Sequence, residues 1–269
     1  MSEPLATWSW DDLSSLDRLL VTVSGVGLQA ASQHTRFLFK TQLPRVNLIG
    51  CKLTQFDLSL SNLSGSHLEG ADLRKVNLEE TLLDGSSLYH ANLSWVEARG
   101  CDLRGALLEG ADLTEAVLID ARLDGADLKR AIFNRAELSG ATFERARLLD
   151  AILESADLSN AKLRGAHVTG AALPMADLSG ADLREAVLKR CDLRGADLKD
   201  AQLDGALLEG ARFGDQALDE QGKPLATVLS DREPAPLPTR AQLLSARWQH
   251  IEINGTEYSP EALRESAIV

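Results

Sequence analysis

Aromatic side chains make up only 4% of the 269 residues, and cysteine occurs three times. The cysteines, Cys51, Cys101 and Cys191, are odd in number and show no CxxC spacing, which excludes a disulfide framework and a zinc site. No apolar run approaches the ~18 residues needed to span a bilayer. The first residues, with Glu3, Asp11 and Asp12, lack the basic-then-apolar pattern of a secretory signal, so the sequence predicts a cytoplasmic protein with no membrane partner. Cations are outnumbered 28 to 40 and the formal net charge is −12. That balance argues against direct contact with nucleic-acid phosphates, which needs clustered Lys and Arg, and favours a basic partner surface.

Catalytic signatures are missing as well. His34, His67, His90, His167 and His250 are scattered, and no phosphate-binding loop, dinucleotide fingerprint or nucleophile elbow occurs. The reading is therefore a non-enzymatic protein with no cofactor and no metal.

What the sequence does contain is a period of five. From Leu43 to Leu218 a large apolar residue recurs at every fifth position, 36 units without insertion or deletion, with Ala98 the only small one. Two residues earlier stands a second inward position, varied at first (Val46, Cys51, Phe56, Ser61) and mostly Ala from Ala106 onward, with Cys101 and Cys191 in the same slot. A period of five cannot keep one face of a 3.6-residue helix buried. Spacing of two puts both apolar residues on one side of a short extended segment, and the remaining two residues must turn the chain. Gly recurs at the second of these, as at Gly65, Gly110 and Gly140, where a type II turn needs positive φ. If each turn bends the path by a right angle, four units make a coil of about twenty residues, and nine coils stacked at ~4.8 Å make a rod of ~43 Å.

Units such as Ala71-Asp72-Leu73, Ala91-Asn92-Leu93 and Ala126-Asp127-Leu128 resemble the A(D/N)LXX units of the pentapeptide-repeat family. The resemblance implies an all-β solenoid, a right-handed quadrilateral β-helix of about nine coils, with short helical caps at both ends. Residues 1–40 form an N-terminal cap in this reading, a helix with Leu13, Leu16 and Leu20 on one face followed by an extended segment. Residues 41–220 form the β-helix, and 221–240, with Pro234, Pro236 and Pro238, a loop. Over 241–269, Ala241-x-Leu243, Ala246-x-Trp248 and Ile251-x-Ile253 resume the spacing as a final coil; a turn at Asn254-Gly255 and a helix from Ser259-Pro260 then close the end.

With the core filled by Leu and Ala, function falls to the outward positions. One edge reads Asp57, Asn77, Glu97, Val117, Glu137, Asp157, Asp177 and Asp197, and its trailing turns add Glu79, Glu80, Asp120 and Asp200 against Arg99 and Lys199. The other three edges mix signs. Asp and Asn at this position also serve the repeat itself by accepting backbone hydrogen bonds. Asp57, Glu97, Glu137, Asp157, Asp177 and Asp197 are the candidate partner-binding residues, and Trp95, at a turn, is a candidate apolar contact. The family resemblance implies an acidic, DNA-shaped rod that binds and protects DNA gyrase or topoisomerase IV. The alternative is a protein–protein adaptor, such as an accessory component of a bacterial secretion system.

Overall fold

The computed structural model describes residues 39–214 and 238–265, and within the first span every five-residue unit repeats the same backbone. The residue before each central Leu forms a parallel bridge to the residue twenty further on, as in Gln42↔Asn62, Asn47↔His67, Lys52↔Asp72 and Asp57↔Asn77. These four series define the four flat faces of a right-handed β-helix, named below by those first members. The central Leu and the small residue two before it point inward; Leu48, Leu58, Leu108 and Leu128 are completely buried. Each buried Leu contributes about 2 kcal/mol of hydrophobic stabilisation.

Between faces the chain turns through a single motif. The amide of the small inward residue donates to the carbonyl of the preceding Leu, as in Ala111 to Leu108 at 3.0 Å, and the second residue of the turn has positive φ. This is the type II turn anticipated from the glycines. Its conformation holds at twenty non-glycine positions of the rod too, from Lys40 to Asp200. An L-residue in this region costs about 1–2 kcal/mol, offset here by the amide of that residue donating to the next coil, as in Glu115 to Asn134 at 2.9 Å. Glycine is needed most strictly at Gly214, where a Cβ would run into the Asn254 backbone; at Gly110 or Gly195 it would push aside the His90 or Met175 side chain of the preceding coil.

The core changes character along the rod. The early inward positions Ser66 and Thr81 are buried and donate to Leu43 O (3.2 Å) and Leu58 O (2.8 Å), whereas later coils use Ala. Ala98 is accommodated because Val96, rather than Ala, fills the inward position two before it; both are buried. Ser86 is the exception to polar satisfaction, its hydroxyl buried without a hydrogen-bond partner.

The C-terminal end is closed by chain that returns. Helix α1 (Arg240–Ser245) is held by a capping box between Thr239 and Gln242, and the Gln242 amide also donates to Leu198 O (2.9 Å) and Ala201 O (2.8 Å). Arg247 then bridges Leu207, and β1 (Arg212–Phe213) pairs in parallel with β2 (Ile251–Ile253), which pairs antiparallel with β3 (Thr256–Tyr258). A short helix α2 (Pro260–Glu265) follows, and Leu243, Ile251, Ile253 and Leu263 extend the core.

The coil therefore resumes at Arg247 rather than at Ala241. Ala241 and Leu243, expected to be strand-like, lie in α1, because Thr239 and Gln242 supply a helix start and the Gln242 amide occupies the Ala201 carbonyl that a further strand would have used. The expected N-terminal cap and most of the 221–240 loop lie outside the described residues.

Removing the unpaired hydroxyl with Ser86→Ala is expected to raise the melting temperature, by about 1 kcal/mol of stability, as measured by thermal or denaturant unfolding. Leu128→Asp, which places a carboxylate among completely buried side chains, is expected to cost several kcal/mol and to lower the transition of neighbouring coils with it; an unchanged unfolding curve would remove the core assignment.

Candidate protein-binding face

Apart from the units with Pro44 or Pro174 at the first turn position, each five-residue unit has five backbone amides, and the ladder pairs four of them. Around Leu158, for example, the amides of Asp157, Leu158, Asn160 and Ala161 all donate to backbone carbonyls. The amide left over belongs to the first turn residue. In this unit it is Ser159, and the Asp157 carboxylate accepts from it at 2.9 Å. The same closure recurs with Asp57 to Ser59, Asn92 to Ser94, Asp177 to Ser179 and Asp197 to Lys199, at 2.8–3.0 Å. The Asp or Asn of the repeat is thus a local cap for the one amide that stacking does not satisfy.

Whether the cap leaves a net charge depends on the side chain two residues on. Where that is Arg, the guanidinium folds back on the same carboxylate. Asp72–Arg74 (2.7 Å), Asp102–Arg104 (2.5 Å), Asp182–Arg184 (2.6 Å) and Asp192–Arg194 (2.5 Å) are such forks. The Arg74 fork holds the Asp72 carboxyl below its usual range, and the Arg184 fork does the same for Asp182. None of these forks springs from the Asp57 face. There the residue two after Asp57, Asp157 and Asp177 is Ser, which adds no compensating charge.

All six predicted carboxylates stand in one unbroken series, with bridges running Asp57↔Asn77↔Glu97↔Val117↔Glu137↔Asp157↔Asp177↔Asp197. No cation occupies the series. The four aspartates are half-buried by their capping role, whereas Glu97 and Glu137 are exposed. Glu137 has an exposed partner at 3.8 Å, Arg99, a pair of small energetic weight.

The two flanks of this face differ in sign. The leading turns carry Arg74, Lys75, Arg135 and Arg194 against Glu115 and Glu154. The acidic strip is therefore bounded on one side by a net positive column. Trp95 stands in that column and is 45% exposed. Its indole N–H donates to Glu115 at 2.9 Å and Lys75 Nζ lies 5.7 Å from the ring centroid. Its neighbours therefore hold the ring within the column.

Among the described residues nothing else gathers into a reactive group. His67 and His167 share the Asn47 face five coils apart, ~24 Å by the strand spacing. The cysteines are buried, and burial pushes the thiols of Cys101 and Cys191 up to about 12, well away from a reactive thiolate. Among the described residues no cluster could hold a metal ion, and no helix is long and apolar enough to cross a membrane.

The model of pentapeptide repeats matches in eight copies over residues 41–79, 67–105, 99–135, 131–170 and 176–215. Among solved structures, HetL of the cyanobacterium Nostoc sp. strain PCC 7120, a pentapeptide repeat protein involved in heterocyst differentiation regulation, is 33% identical. The match covers 66% of this chain and 90% of that one, with a TM-score of 0.54. A trypsin-treated form of QnrB1, a plasmid-mediated fluoroquinolone resistance protein, is 22% identical over 64% of this chain and 89% of that one, with a TM-score of 0.44. No curated protein matches. The continuous five-residue period, the uniform type II turns and the family match together establish that this chain belongs to the pentapeptide-repeat family.

Proposed function

We propose that this chain acts without catalysis, as a binding rod whose Asp57 face docks on a basic protein groove built to hold DNA, with a type II topoisomerase such as DNA gyrase as the partner. The observation that carries the reading is the single-signed face: Asp57, Glu97, Glu137, Asp157, Asp177 and Asp197 in one bridged series with no cation among them. Carboxylates one or two coils apart, ~4.8 or ~9.6 Å, along a stiff axis offer such a groove a negative line, sparser than the one charge per ~1.7 Å of duplex DNA. Glu97 and Glu137 weigh most in the argument. They are exposed on this face, and neither accepts from the turn amide two residues on, so the fold's own needs do not account for them. The reading requires a cytoplasmic protein.

The test separates charge from architecture. Asn keeps the capping oxygen that Asp supplies, so Asp157→Asn, Asp177→Asn and Asp197→Asn combined with Glu137→Gln remove four charges and leave the turns closed. Wild-type protein is expected to inhibit DNA gyrase supercoiling, or to protect it from a fluoroquinolone, at micromolar concentration. The effect is expected to weaken as salt rises and to fall by about tenfold or more in the quadruple variant, about 1.4 kcal/mol, with an unchanged melting temperature. No effect of the wild-type protein on supercoiling would overturn the topoisomerase reading and leave the adaptor reading, to be followed by capture of partners from lysate.

A further inference from the structure

We propose that the Lys52 face is a self-complementary interface through which two copies of this chain pair side by side and antiparallel. Its centre is apolar: Ile132 and Ile152 are bridged neighbours, Ile152 is 39% exposed, and Ala172 continues the strip. Leu149 and Met175 stand at the adjoining turns of the same coils.

A two-fold axis lying between Ile132 and Ile152, parallel to the strands, sets each coil against its counterpart at equal distance on the other side. Ile132 then meets Ile152 of the second copy, and Asp112 meets Ala172. Next, Asn92 meets Asp192; the Asn92 carbonyl oxygen accepts from the amide and hydroxyl of Ser94, and its N–H2 group faces the carboxylate. Beyond them Asp72 meets Arg212 and Lys52 meets Glu252, opposite signs at both ends of the face. The turns follow suit. Arg130 meets Asp150, Arg135 meets Glu154, and the Trp95 ring meets Arg194, a cation–π contact. One like-charged pair arises among the described residues, Glu69 against Glu209, and a histidine ring stands beside each, His67 at 3.3 Å and His250 at 3.6 Å.

Neighbouring registers bring like signs together, partly on Asp72 and Asp192, which the Arg74 and Arg194 forks already offset, and a register centred on Ile132 also sets Ile152 against Asp112. Centring the axis on Ile152 opposes Asp112 to Asp192 and Asp72 to Glu252. Centring it on Ile132 opposes Lys52 to Arg212 and Asp72 to Asp192. A parallel pair opposes every charge to itself, and the Asp57 face repels its own copy in any register. The strands alone give a flat contact of ~10 by ~43 Å, and the turns extend it toward the ~800 Å² per partner of a standard interface. Because the axis runs along the strands, both Asp57 faces of the pair look to the same side, with the positive leading turns at the seam. The resulting double line of carboxylates bears on the function proposed above; the pairing itself does not depend on that function.

Sedimentation velocity over a micromolar to submillimolar series is expected to show a monomer–dimer equilibrium, with a dissociation constant raised about tenfold or more by Ile152→Glu at unchanged circular dichroism. Arg135→Glu and Glu154→Arg are each expected to weaken the dimer, and the double exchange to restore it, a result that misfolding does not produce. Asp112→Cys combined with Ala172→Cys is expected to cross-link two chains under oxidation. Neither cysteine alone is expected to do so, because each stands three coils, ~14 Å, from its own copy in this register, and the native cysteines are buried. A wild-type monomer throughout, a dimer indifferent to Ile152→Glu, a double exchange that fails to restore pairing, or cross-linking by Asp112→Cys alone would each overturn the proposal.

Discussion

In the repeating five-residue unit the stacking of coils satisfies four backbone amides and strands the fifth, at the first residue of the turn, where Pro44 and Pro174 have no amide to strand. That amide lies where the chain bends away from the ladder, and an unpaired polar group next to a packed wall costs on the order of 1 kcal/mol or more. A short side chain with an acceptor oxygen, two residues earlier, reaches it. Asp and Asn fit; Glu97 and Glu137 stand at the same position and do not cap the turn. The repeated Asp of this chain is therefore first a structural residue, placed by the turn it closes.

Charge becomes a surface property only after a second choice. An Arg two residues after the capping Asp folds back and cancels it, as in Asp72–Arg74 and Asp192–Arg194, while a Ser does not, as after Asp157 and Asp177. On the Asp57 face no Arg follows a capping Asp; Ser or, after Asp197, Lys199 stands there, and the face itself remains single-signed, with Asn77 and Val117 its uncharged members. The Lys52 face mixes both signs around an isoleucine pair. One backbone thus presents faces with opposite tendencies: one repels its own copy and attracts cations, and the other has the charge order of a surface that can meet itself.

The period, the inward pair of Leu and Ala, the bends and the alignment of the six carboxylates were legible in the sequence, because a strict five-residue spacing admits one backbone solution. What was not legible depends on neighbours twenty or more residues away. Positive φ at Trp95, Glu115 or Asp150 contradicts local propensity and is imposed by the coils above and below. Trp95 read as a free contact residue, yet Lys75 and Glu115 occupy it from adjacent coils. Ala241 and Leu243 kept the repeat spacing but lie in a helix, since Gln242 both caps α1 and closes the carbonyls of Leu198 and Ala201. The net positive leading flank emerged only once the turns on both sides of the Asp57 face were placed in columns.

The central claim is that the Asp or Asn side chain closes the stranded amide, and amide hydrogen exchange followed residue by residue tests it most directly. The Ser159 and Ser179 amides, which donate to Asp157 and Asp177, are expected to exchange far more slowly than those of Ile119 and Lys189, whose units carry Val117 and Val187 at the capping position. Asp157→Asn is expected to keep Ser159 protected and Asp157→Ala to release it. Equal exchange at all four amides, or protection of Ser159 that survives Asp157→Ala, would contradict the account.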